Sequence, residues 1–256
     1  MGSGGVGLVF IAGFLCGLIT TVASSGAAVS LPLLLAVGLD PVMANATNRL
    51  PILAASLSAV ISYHRQKAID WQVVWKAGLP TSLGSAVGAL ISLQISSREF
   101  KLAIAAAVAV ALFMLFFRLR KTLDSEQKPS LVFGLRQFLV FLAIGVWIGF
   151  IVLDGATFLL LALTGSVGLG LVAANSVKSA LILPSVMVSV LVFEYQAVID
   201  WQIGALLSLG SVFGGYVGAR VATSAVAKQI IFWTLVVVLI GEAANLLWQF
   251  LSLMAR

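Results

Sequence analysis

The chain has 256 residues, of which 61% are hydrophobic and only 9% charged, and its formal net charge is +6. A water-soluble domain has about 25% charged residues, so this composition excludes a soluble globular protein and predicts an all-α membrane protein. The basic residues are scattered between apolar segments and form no helical stripe, so we expect no nucleic-acid partner.

The apolar segments fall into two similar sets, each of which begins with an interrupted segment. The first spans are predicted at about 6–23 and 138–153, and each is followed by a break and a shorter apolar piece, 29–39 or 156–167. The other predicted spans are 40–62, 74–95, 102–117, 171–193, 203–222 and 230–252. The predicted domains are a first transmembrane repeat at 6–117, a polar cytoplasmic linker at 118–136 and a second transmembrane repeat at 137–253.

The two halves carry the same short sequences at a constant offset. Ile69-Asp70-Trp71-Gln72 recurs as Ile199-Asp200-Trp201-Gln202, an offset in residue number of 130, and Ala44-Asn45 recurs as Ala174-Asn175 at the same offset. Separated matches at one offset indicate an internal duplication. We interpret the repeated Asp as a helix cap and the repeated Trp as an interfacial residue, rather than as parts of a binding site.

Glycines four residues apart also recur in corresponding segments of the two halves. Gly84 and Gly88 match Gly214 and Gly218, again at an offset of 130. Small residues at this spacing let helices approach closely, so we assign them a packing role. A further match, of Gly13 and Gly17 with Gly145 and Gly149, has an offset of 132.

Loop charge predicts that the two repeats are inverted. The loop at 64–76 carries Arg65, Lys67 and Lys76, whereas the corresponding loop at 194–200 has no Lys or Arg. Positive loops face the cytoplasm, so equivalent loops are expected on opposite faces of the membrane. Inversion requires an odd number of crossings in each half. The broken first segment is then a hairpin that enters and returns, followed by three spans.

Several motifs, in the same order in both halves, resemble those of a known family. A glycine-containing break precedes the apolar piece with Pro32, and Ala44-Asn45-Ala46-Thr47 is close to an Ala-x-x-Thr motif. The Ile-Asp-Trp loop is followed by Gly-x-x-x-Gly-Ala in both halves. Over about residues 10–253 this layout resembles the sulfite exporter TauE/SafE family of membrane permeases. The resemblance implies transport of sulfite, organosulfonates or related small anions.

The chain departs from the family pattern at two places. At the first break it has Ser24-Ser25-Gly26-Ala27 where the family has a glycine-rich run, and in the second half Val177 replaces the Thr of the Ala-x-x-Thr motif. These differences leave the identity of the substrate open.

Two basic residues, Arg49 and Lys178, lie within otherwise apolar spans, where ionisable groups are costly and indicate function. Helix N-termini exposed at breaks favour anions, and inverted-repeat transporters bind substrates at such breaks. We therefore predict an anion site near mid-membrane, between the repeats. The predicted ligands are Ser24, Ser25, Gly26, Asn45, Thr47, Asn48, Arg49, Asn175 and Lys178. The alternative for both cations is that the side chain extends to a membrane interface.

Two acidic residues are candidates for coupling transport to protons. Asp154 lies in the second break, where pairing with Lys178 and capping of the short helix are the alternatives. Glu242 lies in the last span, where the alternative is a hydrogen bond between helices.

The sequence offers no metal-binding, cofactor-binding or catalytic constellation. Cys16 is the only cysteine, which we interpret as a packing residue, and His64 is the only histidine. We therefore expect no metal, no cofactor and no enzyme activity. The absence of a GxxxxGK[ST] sequence argues against ATP hydrolysis.

These features together predict a secondary transporter in the inner (plasma) membrane that crosses it several times and exports a small sulfur-containing anion. A passive anion channel and a permease for another small organic anion are the alternatives. The expected partners are the anion and the lipid bilayer, and a homodimer is left open.

Overall fold

The computed structural model of the chain describes residues 3–22, 26–96 and 133–234, together with 99, 236, 237, 240 and 241. Within these residues the regular structure is helical and contains no strand, which confirms the all-α fold class. The predicted span at 102–117, most of the linker at 118–136 and most of the last span at 230–252 lie outside the described residues. The domain boundaries stay predictions.

The helices follow the predicted segments closely. In the first half they are α1 (Ser3–Val22), α2 (Ala27–Ala36), α3 (Pro41–Thr47), α4 (Arg49–Arg65) and α5 (Trp71–Ser92). In the second half they are α6 (Leu135–Phe150), α7 (Gly155–Ala162), which continues into a π-helical turn at Leu163–Val167, α8 (Leu171–Tyr195) and α9 (Trp201–Val221). By length and composition, the parts of the described chain that could cross a membrane as single helices are Gly5–Val22, Leu171–Tyr195 and Trp201–Val221.

Helix starts occur where the sequence signals them. Asp40 accepts a hydrogen bond from the N–H of Val42 at 2.9 Å, and Pro41 is the first residue of α3. Asp70 and Asp200 accept hydrogen bonds from backbone N–H groups in the first turns of α5 and α9. The interpretation of the repeated Asp as a helix cap is therefore confirmed.

A one-residue interruption at Asn48 separates α3 from α4, although the matching helix α8 is continuous. Pro51 contributes to the interruption, because it has no N–H to donate to the carbonyl group of Thr47, four residues earlier. The residue that matches Pro51 in the second half is Leu181, which keeps its N–H group. Asn48 and Arg49 therefore lie at a helix junction.

The broken first segment of each half forms a helical hairpin. Ser30 of α2 donates a hydrogen bond to the sulfur of Cys16 in α1 at 3.2 Å, so α2 packs back along α1 and Cys16 is a buried packing residue, as predicted. α2 has 10 residues, which span about 15 Å, or half of a hydrocarbon core of about 30 Å. α7 is shorter, with 8 residues. Neither helix is long enough to cross a membrane.

Side-chain contacts define the directions of the long helices. Arg49, at the start of α4, contacts Ser189 near the end of α8, whereas Tyr63, near the end of α4, contacts Asn175 near the start of α8. α4 and α8 are therefore antiparallel. α9 runs parallel to α4, since Gly204 packs on Leu50 and the hydroxyl group of Ser58 donates to the carbonyl oxygen of Val212.

The first helices of the two halves run in opposite directions. α1 is parallel to α9, because Gly13 packs on Leu207 and Gly17 packs on Ser211. α6 is parallel to α5, because Gly145 packs on Thr81 and Gly149 packs on Ser85. α5 in turn is parallel to α8, because Gly78 lies beside Leu181 and the hydroxyl group of Ser85 donates to the carbonyl oxygen of Ser185. Each first helix thus makes its most extensive contacts with a helix of the other half.

The repeated glycines allow backbone contact between these helices. A Cβ atom on Gly84 or Gly88 would overlap with backbone atoms of α6, and one on Gly214 would overlap with the carbonyl oxygen of Phe14. One on Gly218 would lie 2.9 Å from the Cβ atom of Thr21. The predicted packing role is confirmed.

The packing corrects the alignment of the first helices. Gly17 packs on Ser211 and Gly145 on Thr81, which are matching residues of the two halves. Gly17 and Gly145 are therefore equivalent, at an offset of 128 rather than 132. The two alignments differ by about one helical turn, which leaves glycines on the same helix face, so the sequence pattern fitted both.

We expect Gly145→Ala to lower the free energy of unfolding by about 1–3 kcal/mol, because its methyl group would overlap with the backbone of Thr81. Gly7→Ala is the matched control, since no atom lies within 4 Å of the added methyl group. SDS titration in mixed micelles measures both variants. Equal stabilities for the two would contradict the close contact between α5 and α6.

Candidate anion site at the helix breaks

Two helices end inside the fold. α1 ends at Val22 and α6 ends at Phe150, and the residues that follow α6, 151–154, are all buried. The last carbonyl groups of a helix have no partner within the helix, so a buried end needs other donors. The first break, with the predicted ligands Ser24 and Ser25, lies outside the described residues.

Arg49 caps the end of α6. It is fully buried, and its guanidinium group donates to the carbonyl oxygens of Ile148 at 2.7 Å and Gly149 at 2.5 Å. It also donates to the hydroxyl group of Ser189 at 2.9 Å, and it lies 4.7 Å from the ring centroid of Phe193. A cation at this position interacts favourably with the negative end of the α6 dipole.

Asn45 completes the cap of α6. Its amide nitrogen donates to the carbonyl oxygen of Phe150 at 3.0 Å, and its amide oxygen accepts the N–H of Val152 at 3.2 Å. Asn45 and Arg49 belong to the first half and α6 to the second, so this cap joins the two halves.

Lys178 and Asn175 cap the end of α1 in the same way. Lys178 is fully buried and donates to the carbonyl oxygen of Thr20 at 3.0 Å and to the side chain of Asn175 at 2.7 Å. Asn175 donates to the carbonyl oxygen of Thr21 at 2.9 Å and to the hydroxyl group of Tyr63 at 3.1 Å. Each half therefore supplies an Asn and a cation to the broken helix of the other half.

Both cations point into the protein, since neither side chain has any exposed surface. Each cation is held at a different helix end, Arg49 at the end of α6 and Lys178 at the end of α1.

A small cavity lies between the two capped ends. Thr20 and Ile148, whose carbonyl groups accept hydrogen bonds from the two cations, both line it, together with Ile52 and its match in the second half, Ile182. The remaining lining residues are Ala27, Val152, Ala156 and Val186. The space open to the centre of a water molecule is about 10 Å³, enough for about one water. A sulfonate or sulfite does not fit without movement of the helices.

Two neighbouring residues carry buried polar groups that have no hydrogen-bond partner among the described residues. They are the side-chain amide of Asn48, both its nitrogen and its oxygen, and the Nε–H of Arg49. Asn48 lies four residues, or about one helical turn, before Ile52, which lines the cavity. Buried donors without a partner are rare and costly, and they are suited to an anion.

Two other predicted ligands are placed differently. Thr47 accepts a hydrogen bond from the N–H of Asp200 at 3.0 Å, so its hydroxyl group is engaged at the start of α9 rather than at a break. Gly26 precedes α2 and packs against the backbone of Cys16, where a side chain would not fit.

Asp154 is buried in the second break and has a left-handed backbone conformation, with φ of 58°. It precedes α7, but its carboxylate makes no capping hydrogen bond to that helix. A capping residue normally has an extended backbone that directs its side chain to the first N–H groups, so the capping alternative is corrected. Glu242 lies outside the described residues.

Three residues that the sequence did not single out, Tyr63, Ser189 and Phe193, contact the capping side chains. Tyr63 and Phe193 are aromatic residues at matching positions of the two halves, so the internal repeat could have identified them. Ser189 matches Ala59, so the repeat does not identify it.

Sequence comparisons relate the chain to a family of known proteins. Residues 9–246 match the sequence profile of a family described as "Sulfite exporter TauE/SafE". No solved structure is significantly similar to the chain.

Several curated proteins are similar along most of their length. A "Probable membrane transporter protein ORF9" of a Sinorhizobium species is 30% identical over 245 residues, which cover 93% of this chain and 91% of that protein. A "Probable membrane transporter protein" of Haemophilus influenzae is 28% identical over 83% of each chain. The "Probable membrane transporter protein YfcA" of Escherichia coli K12 is 26% identical over 95% of this chain and 90% of that protein.

Proposed function

Because the chain belongs to the sulfite exporter TauE/SafE family, we propose that this membrane transporter is a secondary carrier that exports a small sulfur-containing anion such as sulfite or an organosulfonate. We place it in the inner (plasma) membrane, as a protein that crosses the membrane several times. The relatives are named as membrane transporters, which supports the general class, and the substrate class is our inference.

The observation that carries the substrate class is the pair of buried donors at the junction between α3 and α4. The Nε–H of Arg49 and the amide of Asn48 have no partner among the described residues, and they belong to adjacent residues. A tetrahedral oxyanion accepts several hydrogen bonds at once, and charge-assisted hydrogen bonds are about twice as strong as neutral ones. An anion would therefore satisfy groups that no other described residue satisfies.

The balance of buried charge also favours an anion. The fully buried side chains of charged types within the described residues are Arg49, Lys178 and Asp154, two cations and one carboxylate. Within the described residues this is one more cation than carboxylate, and an anion bound near them would balance that difference.

We propose that the two halves form an inverted repeat and that transport proceeds by rearrangement of the two capped helix ends. The opposite directions of α1 and α6, and the reciprocal caps made by Arg49 and Lys178, support this proposal. The cavity between the caps is too small for the anion, so a carrier must open one end to admit it and the other to release it. Arg49 and Lys178 each hold one of these ends.

A panel of ligands tests the substrate class on the purified protein in detergent. We expect sulfite, taurine or sulfoacetate to raise the unfolding temperature, because a ligand that binds only the folded state stabilises it by mass action. Sulfate and carboxylate analogues of the same length are the matched comparisons.

The outcomes distinguish the proposed substrate and mechanism from their alternatives. A shift with sulfonates that carboxylates do not give supports a sulfur oxyanion as substrate. An equal shift with carboxylates would contradict it and favour a permease for other organic anions. Flux of the same anion into proteoliposomes distinguishes a carrier from a channel. A flux that does not saturate as the anion concentration rises would contradict the carrier and favour a channel.

A further inference from the structure

A groove lies between the ends of α4 and α9, away from the helix breaks. It has a volume of about 350 Å³ and is lined by Arg65 and Gln66 at the end of α4 and by Tyr216, Arg220 and Thr223 at the end of α9. The hydroxyl group of Thr223 donates to the side chain of Gln66, which joins the two helix ends. Both arginines are exposed, so their charges are open to a ligand from outside the fold.

The groove combines charge with apolar surface. The guanidinium group of Arg220 lies 4.5 Å from the ring centroid of Tyr216, which holds it above the aromatic face. Ile61 lines the groove and is 48% exposed, and Leu57 and Phe213 extend the exposed apolar surface along the same two helices at 50% and 59%. A ligand with a negatively charged end and an apolar tail matches this arrangement, in which a basic surface continues into an apolar one.

The duplication provides an internal comparison. The residues that match Arg65 and Arg220 in the other half are Tyr195 and Leu90, neither of which is charged. The two arginines therefore occur at one end of the molecule only. It is the end that carries the basic loop at 64–76, which we predict to be cytoplasmic.

We propose that this groove binds a phosphate group, presented by an anionic phospholipid of the cytoplasmic leaflet, between the guanidinium groups of Arg65 and Arg220. Arg pairs with phosphate oxygens through two parallel hydrogen bonds, and basic sites between helices at the cytoplasmic surface bind lipid head groups. The exposed side chains of Ile61 and Leu57 contact the acyl chains. This site is independent of the anion that the protein transports.

Thermal unfolding in detergent supplemented with phosphatidylglycerol or phosphatidylcholine tests the proposal. We expect phosphatidylglycerol to raise the unfolding temperature of the wild type more than phosphatidylcholine does. The double variant Arg65→Gln/Arg220→Gln should require at least about tenfold more phosphatidylglycerol for the same shift. Lys76→Gln is the matched control, because Lys76 is an exposed basic residue of the same predicted face that does not line the groove.

Inorganic phosphate at the same concentration separates the two sources of the phosphate group. A weaker shift with inorganic phosphate than with phosphatidylglycerol supports the lipid, whereas an equal shift overturns the lipid as the source. A preference for phosphatidylglycerol that survives in the double variant, or that Lys76→Gln removes equally, overturns the site. Equal unfolding temperatures of all variants in phosphatidylcholine verify that the substitutions leave the fold intact.

Discussion

Replacing Arg49 with Met is expected to lower the free energy of unfolding by about 2–4 kcal/mol, the largest effect that we expect from a single substitution. The variant leaves three buried acceptors without a donor, the carbonyl oxygens of Ile148 and Gly149 and the hydroxyl oxygen of Ser189. Each unsatisfied buried acceptor costs about 1–3 kcal/mol, and relief from burying a charge offsets part of the total.

Arg49→Lys is the control that separates charge from geometry. Lysine keeps the positive charge at the end of α6, so we expect it to restore most of the lost stability. It lacks the Nε–H group and the planar fork, so we expect it not to restore the stabilisation by a sulfonate ligand. SDS titration with and without ligand measures both quantities. If Arg49→Lys binds the ligand as the wild type does, Arg49 is only a helix cap.

Stability alone does not distinguish the two roles of Arg49, because a cap and a ligand-binding group both weaken the fold when removed. The Nε–H group, which has no partner among the described residues, allows both roles at once, since the two terminal nitrogens hold α6. An anion at this nitrogen would share the guanidinium charge with the carbonyl groups of α6. Binding would then weaken the cap and favour movement of that helix end, which gives a physical link between binding and transport.

Most of the fold could be predicted from the sequence, because the signals were local or repeated. Asp40-Pro41 and the two Ile-Asp-Trp loops marked helix starts by short-range hydrogen bonds, and the structure places caps there. Burial of Arg49 and Lys178 followed from their position in apolar spans. The alignment of Gly17 with Gly145 could not be predicted, since a shift of one helical turn leaves the same residue type on the same face.

The partners of the site residues could not be predicted, because they depend on contacts across the two halves. Backbone carbonyl groups in the opposite half of the chain accept hydrogen bonds from Arg49. Every residue has a backbone carbonyl group, so the residue types in a sequence do not identify such an acceptor. The buried cations suggested an anion, but they equally suit the negative ends of two helices that end inside the protein. The same limit explains Thr47, whose partner is the backbone N–H of Asp200. Asn48 was predicted as a ligand from the sequence, but only the structure reveals that its amide lacks a partner among the described residues.

Asn48→Leu is expected to have the opposite effect on stability from Arg49→Met. The amide of Asn48 is fully buried with no hydrogen-bond partner in the described part of the chain, and an apolar side chain with the same number and branching of heavy atoms removes this cost. We expect the free energy of unfolding to rise by about 1–3 kcal/mol. The same variant should lose most of its stabilisation by a sulfonate, because a donor for the anion is gone. A protein that retains such a group at the expense of stability does so where function requires it.

Asn175→Leu is the matched control for Asn48→Leu. Asn175 has the same side chain and the same burial, but its amide bonds to Thr21, Tyr63 and Lys178, so its replacement should lower stability. Unfolding of both variants, with and without sulfonate, provides four values that separate the roles of the two residues. Stabilisation by Asn48→Leu together with lost ligand binding identifies Asn48 as part of the site. If Asn48→Leu instead destabilises the protein as Asn175→Leu does, the amide is structural, and the anion must be bound elsewhere along the breaks.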